Sequence, residues 1–127
     1  MRMVVISLII LMIMISIWAW FYYVSVGPVT SFYRDNLPVL SDLVKDENWD
    51  RAMKDIKEYT DKWYEVKKLW MYFINQKDLD NIDSSLEQLN IYIENKEKIL
   101  AQAELEHLIV LFRIIDENEC LSLENIF

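Results

Sequence analysis

WDRAMKDIKEYTDKWYEVKKLWMYF, residues 49–73, sets Trp49, Ala52, Ile56, Tyr59, Trp63, Val66, Trp70 and Phe73 at unbroken alternating steps of three and four. That spacing is the apolar seam of an amphipathic helix, a heptad repeat carried over about seven turns. The other faces are charged, and Asp50/Lys54, Arg51/Asp55, Lys54/Glu58, Lys57/Asp61 and Glu58/Lys62 are opposite charges four residues apart. Such pairs add ~0.2–0.5 kcal/mol each on an exposed face. Asn48 stands where an N-cap belongs, with Asp46, Glu47 and Asp50 around the positive helix end.

Outward from this seam, a polar break at Asn75–Asp78 precedes a second stripe, Leu79, Ile82, Leu86, Leu89 and Ile93, with Asp78 as its expected cap. A third helix is expected from about Glu97 to Asp116, on Ala101, Leu105, Leu108, Phe112 and Ile115. Its stretch Leu108–Ile115 is apolar nearly all round apart from Arg113, which suits a central helix. On the N-terminal side, Tyr33, Leu37, Leu40 and Val44 make a shorter stripe interrupted by Pro38, so either the membrane helix continues with bends at Pro28 and Pro38 or, the favoured reading, a separate short helix begins near Asn36. No segment reads as a strand. The fold class is therefore all-α, and short connections make neighbouring helices antiparallel. An N-terminal single transmembrane helix is followed by a small bundle of three long helices and one short one.

The transmembrane reading rests on the start of the chain, where no charge occurs from Met3 to Tyr33 and Met3–Val26 is almost wholly apolar. Twenty-four helical residues reach ~36 Å, enough to cross a hydrocarbon core of roughly 30 Å with some tilt. Trp18, Trp20, Tyr22 and Tyr23 cluster near the end of the run and mark the expected membrane interface, where amphipathic rings prefer to lie. A cleaved signal peptide would have a shorter apolar region and a small-residue cleavage site; here Ser25-Val26-Gly27 runs straight into Pro28. The organisation is then an anchor at 1–27, an acidic helical bundle at 28–118 and an apolar tail at 119–127. Lysines and arginines are nearly balanced across the anchor, and the two-residue N-terminal tail favours a cytoplasmic N-terminus with the bundle outside the cell membrane.

Composition narrows the function. The net charge is −8, and residues 27–127 alone hold 12 Lys+Arg against 21 Asp+Glu. Such a domain neither binds a nucleic-acid backbone nor adsorbs to an anionic membrane, so it is expected to stand off the lipid. One Gly leaves no phosphate-cradling loop, and one Cys with one His cannot build a zinc cluster or a disulfide framework. The acids are spread along helices, which reads as a solvated face, not a metal site. No cofactor is expected.

Asn48-Trp49-Asp50-Arg51-Ala52, the spaced Trp63 and Trp70, Asp80-Asn81-Ile82 and the ending Leu121-Ser122-Leu123-Glu124-Asn125-Ile126-Phe127 together resemble the bacterial family catalogued as domain of unknown function 4363. The resemblance runs from end to end of the chain. It implies small membrane proteins of Gram-positive bacteria, often encoded beside a multi-span membrane protein, and supplies no reaction, ligand or catalytic residue.

The tempting residues weigh mostly toward structure. Trp49, Trp63, Trp70 and Phe73 could line a ligand platform, but on a heptad seam they are expected to be core, and no polar residue is seen to converge on them. His107, flanked by Glu104 and Glu106, lacks a second functional group for acid–base work and reads as a partly exposed helix residue. Cys120 is either a free thiol or an intermolecular disulfide partner. Leu121, Leu123, Ile126 and Phe127 form an apolar hook that either folds back on the bundle or enters a partner's groove. No catalytic constellation is present, so the chain is not expected to be an enzyme. The leading reading is a membrane-anchored interaction module. It would hold the bilayer through residues 3–26 and serve as accessory subunit to another membrane protein. An extracytoplasmic sensing or ligand-binding bundle is the alternative, and a homo-oligomer through the heptad seam stays open, although its aromatics are bulky for a dimer seam.

Overall fold

A computed structural model describes the backbone of residues 1–126 and the side chains of residues 1–121. The described residues form helices and turns only: α1 (Arg2–Phe21), a π-helical turn (Tyr22–Val26), α2 (Gly27–Lys45), α3 (Trp49–Trp70), α4 (Gln76–Glu94) and α5 (Lys98–Ile126). Around the bundle, α2 packs on α3, α3 on α4, α4 on α5 and α5 back on α2, an up-down-up-down ring. Its core is the union of the stripes: Tyr33, Leu37, Leu40 and Val44 meet Ala52, Ile56, Tyr59, Trp63 and Trp70, with the α4 and α5 stripes buried opposite.

Three boundaries differ from the sequence expectation. No short helix starts at Asn36; α1, the π-turn and α2 run as one helix over Arg2–Lys45, 44 residues long. The reason lies at the prolines. Pro28 cannot bond the carbonyl four residues back and its ring crowds it. The turn just before it is widened, and the Gly27 N–H reaches back five residues to the Tyr22 carbonyl. Pro38 sits on the exposed side together with Arg34, whose carbonyl it leaves without a helical bond. The second difference is the cap of α4, which is Asn75 and not Asp78: its side-chain oxygen accepts from the Lys77 N–H at 2.8 Å. Asn48 does occupy the N-cap of α3 but makes no side-chain cap bond. The third is α5, which does not stop near Asp116 but continues to Ile126.

The two far turns, away from α1, share one design. Glu47 (φ 60) and Lys96 (φ 57) are left-handed at the residue after the C-caps Asp46 and Asn95. The following N–H groups of Asn48 and Glu97 return to Leu43 and Tyr92 carbonyls. These are glycine-type helix stops built without glycine. The five opposite-charge pairs expected along α3 do not close; among the described residues the ion pairs are Lys67–Asp83, Lys68–Glu65, His107–Glu104 and Arg113–Glu117. Exposed heads stay solvated because a surface pair returns little for ordering two long side chains.

α1 projects beyond the bundle. It is long and apolar enough to cross a membrane, and almost none of it is buried in the chain's own core. Ser7 and Ser16 donate to the carbonyls of Met3 and Met12, so even its hydroxyls are satisfied within the helix.

Candidate functional site

The elements converge where α1 enters the bundle. Phe21 is fully buried and stacks on Phe73 with ring centroids 4.3 Å apart. Trp70 Nε1 donates to Ser25 Oγ at 2.7 Å, and Tyr22 Oη donates to Asp116 Oδ1 at 3.2 Å. The Thr30 hydroxyl donates to the Val26 carbonyl at 2.7 Å and lies 3.3 Å from the same Asp116 oxygen. The turn after α3 and the last third of α5 are thus pinned to residues 21–30. Of the four expected interface rings, Trp20 and Tyr23 face outward, Tyr22 is turned toward Asp116, and Trp18 is half-buried with its N–H unpartnered among the described residues.

The tryptophan seam is closed. Trp63 and Trp70 are fully buried in an edge-to-face pair at 5.6 Å, and Trp63 meets Phe112 edge-on at 5.8 Å. Phe112 in turn stacks on Tyr33 at 4.2 Å, and Tyr33 Oη donates to the Tyr59 carbonyl at 2.7 Å. Trp49 and Phe73 lie half-buried toward opposite ends of α3. Polar residues do converge on the seam, against the sequence reading. Asp83 accepts from Trp63 Nε1 at 2.6 Å while its other oxygen holds Lys67, and Ser25 answers Trp70. The bond to Asp83 raises the Lys67 pKa. Both partners serve the indole N–H groups, which need acceptors once buried. No local signal announces them, since Ser25 is 45 residues from Trp70.

Ser85, Glu104 and His107 lie together but in an order that cannot relay a proton to a nucleophile. Ser85 Oγ donates to Glu104 Oε1 at 2.6 Å and His107 Nδ1 contacts the same oxygen at 3.2 Å, so the carboxylate stands between hydroxyl and imidazole. Ser85 is also buried, out of reach of a substrate, whereas His107 is exposed as expected. No metal-binding group of His, Cys, Asp and Glu occurs among the described residues. An open cleft of about 410 Å³ lies between α2 and α5, lined by Thr30, Arg34, Phe112, Arg113, Asp116 and Glu117.

Of the tail, Leu121 is exposed on α5; the side chains of Leu123 and Ile126, and all of Phe127, lie outside the described residues. Cys120 is half-buried beside Tyr22. The preceding residue, Glu119, is buried, its Oε2 without a hydrogen-bond partner among the described residues. Burial, with Asp78 facing it, pushes its pKa up to about 7 from 4.5. Below pH 4.5 this acid is neutral in folded and unfolded chains alike, and stability is full. As pH rises from there through 7, the unfolded chain ionises first and stability is lost. Between about pH 5 and pH 8, urea unfolding should show a loss of about 2 kcal/mol in the wild type that Glu119→Gln removes. A slope unchanged by that substitution would place the pH dependence in the general acidic repulsion.

A family model described as Domain of unknown function (DUF4363) matches residues 21–126. No curated protein and no solved structure matches the chain.

Proposed function

The chain belongs to the DUF4363 family, and from that premise we propose that it is a single-pass membrane protein whose bundle works as an interaction module, an accessory subunit of another membrane protein. Residues 3–26 hold the bilayer, the N-terminus stays in the cytoplasm and the bundle faces outward. The observation that carries this reading is the unbroken helix Arg2–Lys45: a bare apolar rod that becomes, without a linker, one wall of a packed bundle. Such a joint presents the bundle at a fixed orientation and raises the local concentration of any partner in the same membrane. At the far end Ile91, Ile99 and Leu100 are exposed around the α4–α5 turn, and Ile99 keeps 80% of its surface. Apolar residues at an exposed turn suit a protein contact.

The test places a photo-crosslinking residue at Ile99, at Leu121 or at Asp61 on the charged face of α3, in the full chain in native membranes. One identified membrane protein captured from Ile99 or Leu121 and not from Asp61 is the expected result. Equal capture from all three positions, or none, rejects the interaction role. Protease added to sealed cells should remove the bundle; protection reverses the orientation. Ligand sensing is the second reading, favoured by the cleft between α2 and α5, whose volume falls in the range of small-molecule pockets.

A further inference from the structure

Between Glu65 and Asp78 the chain holds no acid. Residues 66–77 carry Lys67, Lys68 and Lys77 and the uninterrupted run Leu69-Trp70-Met71-Tyr72-Phe73-Ile74, in a protein of net charge −8. The structure makes this segment the last turn of α3 and the turn into α4. Half of it faces inward, with Trp70 and Ile74 buried and Phe73 on Phe21. The other half faces out: Leu69, Met71 at 55% and Tyr72 at 82% of full exposure. Connecting turns are ordinarily polar, because water must satisfy their backbone.

Its depth follows from its contacts. Phe73 and Trp70 meet Phe21 and Ser25, and both of those lie inside the apolar run 3–26. The turn is therefore level with the last six residues of that run, 21–26, about 9 Å of helix. The polar layer on each side of a bilayer is roughly 5–8 Å thick. We propose that the Leu69–Lys77 turn is a second membrane contact that docks on anionic phospholipid, with Met71 and Tyr72 seated at the boundary of headgroups and acyl chains and Lys68 and Lys77 on lipid phosphates. This rests on the anchor reading above. Tyr rings favour that layer, and basic residues beside it are attracted to an anionic leaflet while the acidic faces of the bundle are repelled. Lys67 is committed to Asp83, whereas Lys68 holds only exposed Glu65 at 3.1 Å, a surface pair that a phosphate displaces at little cost. Among the described residues, α5 brings Asp116, Glu117 and Glu119 to the same level. Asp116 is turned to Tyr22 and Thr30, Glu117 is paired with Arg113 and Glu119 is buried, so the exposed Lys68 and Lys77 set the charge this turn presents to the lipid.

The full chain carrying Cys120→Ser and a single labelled cysteine at Tyr72→Cys, Ile99→Cys or Ile13→Cys is reconstituted in phosphatidylcholine vesicles with and without phosphatidylglycerol. With phosphatidylglycerol, the label at 72 should be quenched by a headgroup-borne nitroxide and shielded from iodide, while the label at 99 stays open to iodide. The docked-to-free ratio at 72 should fall about five-fold for each of Lys68→Gln and Lys77→Gln. Iodide access at 72 equal to that at 99, with 13 still lipid-quenched, overturns the docking and leaves the anchor standing. Shielding from iodide without nitroxide quenching assigns the turn to another protein surface and equally overturns it. Identical protection without phosphatidylglycerol removes the anionic requirement. Loss of lipid quenching at 13 brings down anchor and docking together.

Discussion

Trp63→Ala is expected to lower the unfolding free energy of the bundle by about 3–5 kcal/mol, read from urea titrations of the full chain in micelles by far-ultraviolet circular dichroism. Trp63 is fully buried, lies edge-on to Trp70 and Phe112, and joins α3 to α4 through Asp83. Truncation opens a cavity at the point where the aromatic stacks of three helices meet. It also strips one donor from a carboxylate that then depends on Lys67. Domains of this kind have about 5–15 kcal/mol in all, so the variant is expected to be partly unfolded at 37 °C. Trp63→Phe separates the two contributions: the ring volume is largely kept and the N–H is lost, which should cost about 1–3 kcal/mol. In an Asp83→Asn background that smaller cost should shrink. If Trp63→Phe proves neutral with Asp83 intact, the bond is not what fixes the α3–α4 register.

Ile10→Arg combined with Ile13→Arg is expected to abolish membrane retention while leaving the bundle folded. Both residues sit mid-way along α1, each about half exposed, and neither belongs to the core. A centrally placed arginine costs roughly 2.5–3.5 kcal/mol on the insertion scale, so two erase most of the advantage of a single span. Alkaline carbonate should release the double variant and not the wild type, with helicity of the bundle unchanged. Wild-type chain released by the same wash would mean that α1 is buried against protein instead of lipid.

The buried stripes are legible in the sequence because steps of three and four report a helix face whatever the helix packs against. Tyr33, Leu37, Leu40 and Val44, then Ala52, Ile56, Tyr59, Trp63 and Trp70, then the α4 and α5 stripes, are core, with Val66 packed half-buried against it. The continuity of α1 with α2 is only the less favoured of two sequence readings, because Pro28 and Pro38 carry a breaking signal that a widened turn and an exposed position defuse. The extension of α5 past Asp116 is hidden in the same way: the polar run Asp116–Glu119 looks like a stop, yet Asp116 is bonded to Tyr22 and Glu119 is buried. Ser25 and Asp83 are invisible as indole partners because their pairings are made by topology across 45 and 20 residues. The candidate site was legible only in part for that reason. The aromatic cluster at Trp18–Tyr23 is evident in the sequence, whereas the placement of the α3–α4 turn beside Phe21 and Ser25 depends on contacts between distant segments.

The helix shared by rod and bundle runs unbroken over Arg2–Lys45. A spanning helix leans by ~20° on average, and the lean grows as the hydrocarbon thins. With α1 spanning as proposed, such a lean carried along the 19 residues of α2, about 28 Å, would offset the far cap around Ile99 sideways by roughly 10 Å from an upright bundle. On the same reading, bilayer thickness would be geared into lateral travel at the tip, and whatever that tip touches would register the mechanical condition of the lipid.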